Sequence, residues 1–131
     1  MIGLDTNVLV RYIMQDDAKQ SLQANKLIES LSSDELGFVP IITVVELAWV
    51  LSSAYELSRE QISDAFEGLL RTKELKLERA EIVWKALRSF QHSNSDFADV
   101  LIAESAAAAG CTRTMTFDRG AAKTGGMTLI V

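Results

Sequence analysis

The chain of 131 residues contains one cysteine, one histidine and one proline. Because Cys111 is the sole thiol, no internal disulfide can form, and a zinc site rich in cysteine is excluded. His92 lies in the polar run 91–94, which favours a solvated loop residue over a general base. A chain without disulfides is typical of a reducing compartment, so we expect a cytoplasmic protein.

Long hydrophobic runs are also absent. The longest apolar stretch, residues 41–51, is interrupted by Glu46 and is too short to span a bilayer. The N-terminus has no basic segment ahead of an apolar run, which does not fit a signal peptide. The sequence therefore predicts no association with a membrane.

Basic charge is scarce, since the formal net charge is −5 and the pI is about 4.8. This balance argues against a protein that holds nucleic acid through a broad basic face, because that attraction is electrostatic. An enzyme that releases its product needs only a local cationic rim. Candidate substrate-binding residues for such a rim are Arg11, Arg119 and Lys123, although solvated surface charge is the alternative explanation for each.

The remaining composition is that of an ordinary globular protein. Hydrophobic residues make up 48% of the chain and charged residues 24%. A chain of this length fits one hydrophobic core. We therefore predict a single domain that spans residues 1–131.

Strand-like and helix-like segments alternate along the sequence. Helical periodicity follows Asp5 and recurs in the segments 16–32, 41–54, 59–71, 79–90 and 96–109. Short strands are predicted at residues 1–4, 36–39, 75–77, 113–117 and 128–131. Parallel neighbours need crossover connections, so we predict an α/β fold with a parallel central sheet of four to five short strands flanked by helices on both faces.

Glu46 stands out because it is an ionisable residue in the apolar segment TVVELAWVL. At helical spacing it shares a face with Ile42, Thr43, Trp49 and Val50, which predicts that its side chain points into the core. A buried carboxylate must shift its pKa, find a cation or bind a metal. An internal salt bridge is the alternative to a metal site.

Asp5 and Asp118 each follow a predicted strand, and ligands of open α/β sheets bind at such strand ends. Asp5 has an alternative role as a helix N-cap that binds the amides of Asn7 or Val8. Asp118 precedes Arg119-Gly120, so a turn or a cap is its alternative role.

Asp96 and Asp99 are three residues apart at the start of a predicted helix, which places both on one side of it. Negative charge is favourable near a helix N-terminus, so Asp96 has a structural explanation. Asp99 lies further into the helix, beside Val100 and Ile102, and is the stronger candidate for a functional role.

Carboxylates in separated segments therefore fall where the pattern predicts strand ends or apolar positions: Asp5, Glu46, Asp99 and Asp118. Acids that converge need a counter-ion. Oxygen ligands favour a hard cation such as Mg²⁺ or Mn²⁺.

These residues resemble those of PIN-domain ribonucleases, and in particular the VapC toxins of VapBC toxin–antitoxin modules. The resemblance spans nearly the whole chain and rests on four blocks in order: Asp5-Thr6-Asn7, Val45-Glu46-Leu47, Phe97-Ala98-Asp99-Val100-Leu101-Ile102-Ala103 and Thr116-Phe117-Asp118. It implies a PIN-like fold and Mg²⁺ or Mn²⁺ held by Asp5, Glu46, Asp99 and Asp118. It also implies supporting roles for Thr6 or Asn7 and for Thr116, while Asp96 either joins the site or makes a water-mediated contact.

The resemblance further implies an RNA substrate, a homodimer and a cognate antitoxin whose C-terminal segment covers the active site. In the mechanism that we infer, a metal polarises a phosphoryl oxygen and activates water, which Glu46 or Asp118 orients. The alternatives are a structure-specific DNA nuclease of the PIN and flap type and a non-catalytic acidic binding module. A haloacid-dehalogenase-type phosphatase would need a second aspartate where this chain has Asn7.

Overall fold

A computed structural model describes residues 1–131 and contains seven α-helices, one π-helical segment and five short strands. The residues divide into two compact units, Met1–Glu78 and Arg79–Val131, called here the first and the second unit. All paired strands are parallel. The predicted α/β class is therefore confirmed.

The first unit contains a three-stranded sheet in the order β1-β2-β3, formed by Ile2–Gly3, Gly37–Val39 and Leu75–Leu77. Gly37 of the central strand is the register partner of both Ile2 and Leu75. A side chain at Gly37 would meet the methyl groups of Leu4, Leu31 and Leu75 within about 3 Å, which explains a glycine in a strand. The strand predicted at residues 75–77 lies at the sheet edge.

Helices make both crossover connections of the first unit. α1 (Thr6–Met14) and α2 (Ala18–Ser30) join β1 to β2, whereas α3 (Ile41–Trp49), a π-helical segment (Val50–Ala54) and α4 (Arg59–Arg71) join β2 to β3. The side chains of the unit that are removed from solvent form its core, with the largest at Leu9, Val39, Val44, Leu47, Leu51 and Phe66. Pro40 precedes α3, as predicted, because its missing amide and fixed φ suit a helix start.

The second unit consists of α5 (Ala80–Gln91), α6 (Phe97–Ala108), β4 (Met115–Thr116), α7 (Arg119–Thr124) and β5 (Thr128–Leu129). Helices α5 and α6 pack together, and the rings of Phe90 and Phe97 meet edge to face with centroids 5.5 Å apart. Gly110 follows Ala109, the C-cap of α6, and has a φ of 98°, the left-handed geometry in which glycine ends many helices.

The structure differs from the sequence prediction at three places. The five strands pair as one group of three and one group of two, and several are shorter than predicted. The predicted helix 41–54 changes from α to π geometry at Val50. Helix α7 was not predicted, because a six-residue segment with glycine and lysine shows no apolar periodicity.

None of the helices combines the length and the apolar composition needed to cross a lipid bilayer.

Candidate active site

Asp5 lies at the end of β1 and is the N-cap of α1. Its Oδ1 accepts a hydrogen bond of 2.8 Å from the backbone amide of Thr6. Capping was the structural alternative for Asp5, and the structure shows this role, although the amide belongs to Thr6 and not to Asn7 or Val8. The other carboxylate oxygen makes no hydrogen bond within the chain. Since Asp5 is exposed, this oxygen is available to a ligand.

Glu46 lies on α3, and a carboxylate oxygen of Glu46 accepts a hydrogen bond from the hydroxyl of Thr6. Thr6 itself is buried, with 4% of its surface exposed. Thr6 therefore contacts two carboxylates at once, that of Asp5 through its amide and that of Glu46 through its hydroxyl. This arrangement brings two of the predicted acids to one residue.

The prediction that Glu46 points into the core is wrong. Glu46 is exposed, and its helical neighbours Ile42 and Trp49 are 77% and 66% exposed. The buried face of α3 is formed by Thr43, Val44, Leu47 and Ala48. Helix α3 is apolar on nearly every side, so periodicity could not show which side is buried. The argument that Glu46 needs a cation because it is buried does not hold.

Asn7 follows in the first turn of α1. It is exposed, and its side chain makes no hydrogen bond within the chain. Its amide is therefore free to contact a ligand, and Asn7 lines a pocket beside α1 and α2.

Asp96 is the N-cap of α6. Its Oδ1 accepts hydrogen bonds from the amides of Ala98, at 2.8 Å, and Asp99, at 3.3 Å. Capping is thus a structural reason for an acid at position 96. The two capped amides lie in the first turn of α6, the helix that carries Asp99.

Asp99 is half-buried in the first turn of α6. Burial raises the pKa of its carboxyl group, and the negative charges of Asp96 and Asp118 raise it further. The second unit therefore brings three of the predicted site acids within electrostatic reach of one another. Loss of negative charge or arrival of a cation would relieve their repulsion.

Asp118 is the N-cap of α7, where its Oδ1 accepts from the amide of Ala121 at 3.1 Å. The amide of Asp118 in turn donates to the hydroxyl of Thr116 at 3.0 Å. Thr116 thus fixes the backbone at the end of β4, and its predicted role in supporting a metal site stays a prediction. The proposed cations Arg119 and Lys123 are both exposed on α7, close in sequence to Asp118.

Arg11 is less free than the sequence suggested. One of its terminal nitrogens donates to Asp16 and to Tyr55, each at 3.2 Å, and its Nε donates to Gln20 at 2.7 Å. The phenol of Tyr55 donates to the other carboxylate oxygen of Asp16 at 2.7 Å, and this bond lowers the pKa of Asp16 and raises that of Tyr55. The sequence did not reveal this network, because it joins Tyr55 to residues 44 and 39 positions away and no apolar periodicity marks it.

The residues present suit a hard divalent cation by donor chemistry, because the candidate ligands offer carboxylate oxygens and neither thiolate nor imidazole. Mg²⁺ is commonly held by one or two carboxylates while keeping several waters. Within the structure no group of three or more acidic, cysteine or histidine side chains converges tightly enough to hold a metal ion. The structure brings Asp5 and Glu46 to one residue, Thr6, and binding of a metal ion by these acids stays a prediction.

Two comparisons with known proteins each cover most of the chain that carries these acidic residues. The chain is similar to a protein named VapC ribonuclease from Aquifex aeolicus (strain VF5), with 25% identity over 122 residues that cover 93% of this chain and 90% of that protein. The PIN domain family matches residues 2–127, a range that includes each acidic position discussed above. This match confirms the PIN-like fold, and with it we conclude that the chain belongs to the PIN-domain family.

Proposed function

We propose that the chain is a metal-dependent endoribonuclease and the toxin component of a type II, VapBC-like toxin–antitoxin system. It hydrolyses RNA phosphodiester bonds with Mg²⁺ or Mn²⁺ as cofactor. The observation that carries this proposal is the attachment of two carboxylates, those of Asp5 and Glu46, to Thr6 at the end of β1. Membership of the PIN family and similarity to a VapC ribonuclease support it.

The proposed metal ligands and catalytic residues are Asp5, Glu46, Asp99 and Asp118. A bound divalent cation supplies Lewis-acid stabilisation of the phosphoryl group and lowers the pKa of a coordinated water. Asp5 contributes the carboxylate oxygen that its capping bond leaves unused. The hydroxyl of Thr6 holds one oxygen of Glu46, so the other keeps a fixed direction and can accept a proton from the attacking water.

The cationic rim that steers RNA is assigned to Arg119 and Lys123, which are exposed on α7. Arg11 contributes through a fixed guanidinium group, since Asp16 and Tyr55 restrain it. The limited number of cations suits an enzyme that must release its product, because a broad basic face would retain it.

A direct test measures cleavage of single-stranded RNA by the purified chain with Mn²⁺, with Mg²⁺ and with excess chelator. We expect cleavage with either cation, loss of cleavage on chelation and recovery when metal is restored. Branched DNA serves as the competing substrate. If the chain cleaved branched DNA and left RNA intact, the proposed function would be wrong, and the chain would be a structure-specific DNA nuclease.

A non-catalytic acidic binding module is the second candidate, and one observation favours it. Asp5, Asp96 and Asp118 all cap helices, which is a structural reason for an acid at each position. A titration with Mn²⁺ separates the two candidates, because a ligand that binds the folded state raises the melting temperature. No rise in melting temperature and no cleavage would favour the binding module.

The proposal includes a cognate antitoxin, a homodimer, a cytoplasmic location and a single PIN domain over residues 1–131.

Exposed apolar side chains on α3, at Ile42 and Trp49, give a surface that association of two copies would cover. Light scattering of the purified chain measures its mass in solution. Trp49→Ser is expected to shift a dimer towards the monomer.

A further inference from the structure

A pocket of about 290 Å³ opens beside α1 and α2. Val8 and Leu27 give it apolar walls, whereas Asn7, Arg11, Gln20 and Gln23 place polar groups along it. Small-molecule sites usually have volumes of about 300–1,000 Å³, so this pocket has room for one flat group rather than a folded segment. Its apolar walls and polar edge suit a planar heterocycle.

The donors of this pocket are fixed in place before any ligand binds. Arg11 is restrained by Asp16 and Tyr55, and its Nε donates to the carboxamide oxygen of Gln20 at 2.7 Å. Asp17 caps the same helix turn by accepting from the backbone amide of Gln20 at 2.9 Å. Both the position and the orientation of Gln20 are therefore set by its neighbours.

This orientation decides what Gln20 can offer. Because its oxygen is bound to Arg11, its NH₂ group, which makes no hydrogen bond within the chain, is the end left to meet a ligand. Arg11 has five N–H donors, and its three recorded bonds leave the two on its second terminal nitrogen. The edge of a matching ligand must therefore carry acceptors.

Among the RNA bases, guanine presents two adjacent acceptors, O6 and N7, on one edge. On the same edge adenine presents a donor and an acceptor, cytosine presents a donor, and uracil presents the single acceptor O4. Bases of single-stranded RNA can be splayed out and recognised on this edge. The fixed donors of Arg11 and Gln20 thus favour guanine over the other bases.

The pocket is also close to the proposed catalytic carboxylate. Asn7 lines it, and Asn7 is two residues from Asp5. Consecutive Cα atoms are about 3.8 Å apart, so the two Cα atoms lie within about 8 Å of each other. A base held here would belong to a nucleotide next to the phosphate that is cut.

We propose that the pocket beside α1 and α2 is a base-specificity site that selects guanine next to the cleaved phosphodiester bond, through donors on Gln20 and Arg11. This inference rests on the proposed ribonuclease function. Tyr55 and Asp16 act as positioning residues, because they restrain Arg11 and do not line the pocket.

The test uses the intact chain and a set of single-stranded RNA substrates that are all cut at the same bond. The substrates differ only in the base of one nucleotide next to that bond. We expect guanine to raise kcat/KM about 10-fold, the size typical of a two-bond base contact. Gln20→Glu keeps an acceptor for Arg11 but removes the NH₂ donor, so it should abolish the preference for guanine. Lys19→Gln is the matched control, because it also lowers the charge by one on α2 and does not line the pocket.

Nucleotide binding separates failure of the pocket from failure of the enzyme. Guanosine monophosphate is added to the intact chain, and the side-chain amide signals of Gln20 are followed by NMR. Adenosine, cytidine and uridine monophosphates are added in separate titrations for comparison. Selective shifts by the guanine nucleotide support the site even without RNA cleavage. The proposal would be overturned if the Gln20 signals shifted equally with all nucleotides, or if Gln20→Glu kept the preference for guanine. It would also be overturned if these signals shifted only when a protein partner was added.

Discussion

The hydroxyl of Thr6 donates a hydrogen bond to the carboxylate of Glu46, which lies forty residues further along the chain. The amide of the same threonine donates to Asp5. One buried residue thus sets the direction of two exposed carboxylates, one at the N-cap of α1 and the other on α3. Groups that orient metal ligands in this way are often as sensitive to substitution as the ligands.

Replacement of Thr6 by valine tests this role. Valine keeps the shape of threonine but cannot donate to Glu46, so we expect the affinity for Mn²⁺ to fall about 10- to 100-fold. Calorimetric titration with Mn²⁺ measures the change. Thr6→Ser restores the hydroxyl and should restore binding, which loss of packing alone would not predict.

Asp5→Asn and Asp99→Asn should give folded proteins without RNA cleavage. Asparagine keeps the side-chain volume and caps helices as well as aspartate does, but it is a weaker ligand for a hard cation. The measurements are RNA cleavage with Mn²⁺ and the melting temperature without metal. Full metal-dependent cleavage by purified Asp5→Asn would remove Asp5 from the active site.

Metal binding should weaken in acid solution. Burial and the charges of Asp96 and Asp118 raise the pKa of Asp99, so this carboxyl is protonated, and lost as a ligand, at a higher pH than an ordinary aspartate. Titrations with Mn²⁺ between mildly acidic and neutral pH measure the effect. Asp96→Asn removes one neighbouring charge and should extend binding to lower pH.

The same shift has a consequence for the stability of the metal-free protein. A carboxyl group whose pKa is higher in the folded than in the unfolded state favours folding while it is protonated. Its contribution is present below the unfolded pKa and is lost as the pH rises through the folded pKa. At neutral pH the carboxyl of Asp99 is charged, and asparagine at this position stays neutral. We therefore expect the denaturant concentration at which Asp99→Asn unfolds at neutral pH to equal or exceed that of the parent.

Two substitutions at Asp96 separate capping from catalysis. Asp96→Ala removes the acceptor for the amides of Ala98 and Asp99 and should lower the free energy of unfolding by about 1 kcal/mol. Asp96→Asn keeps the cap and should preserve stability. If Asp96→Asn also abolishes cleavage at neutral pH, then Asp96 is part of the active site and not only a cap.

Ser58→Ala provides a stability control outside the candidate site. Ser58 and Gln61 form a reciprocal capping box at the start of α4, with hydrogen bonds of 2.9 and 3.1 Å. Loss of the Ser58 hydroxyl should cost about 1 kcal/mol of stability and leave kcat/KM unchanged. Chemical denaturation and RNA cleavage, measured on the same preparation, check both expectations.

The sequence by itself determined the α/β class and most of the element boundaries. Its apolar residues recur with strand and helix periods, and acidic residues that suit a cap, such as Asp5 and Asp96, stand at the helix starts. These signals are local, so they can be recognised without knowledge of the fold. The acidic residue types, which suit a hard cation, were also evident from the sequence.

Tertiary structure alone decided which side of α3 is buried and which side chains from distant segments meet. Helix α3 is apolar on nearly every side, so its pattern could not show that Glu46 and Trp49 are exposed. The bonds of Thr6 to Glu46 and of Tyr55 to Asp16 join residues 40 and 39 positions apart. Such contacts depend on how the helices are placed around the strands, and a periodicity confined to one helix carries no information about that placement.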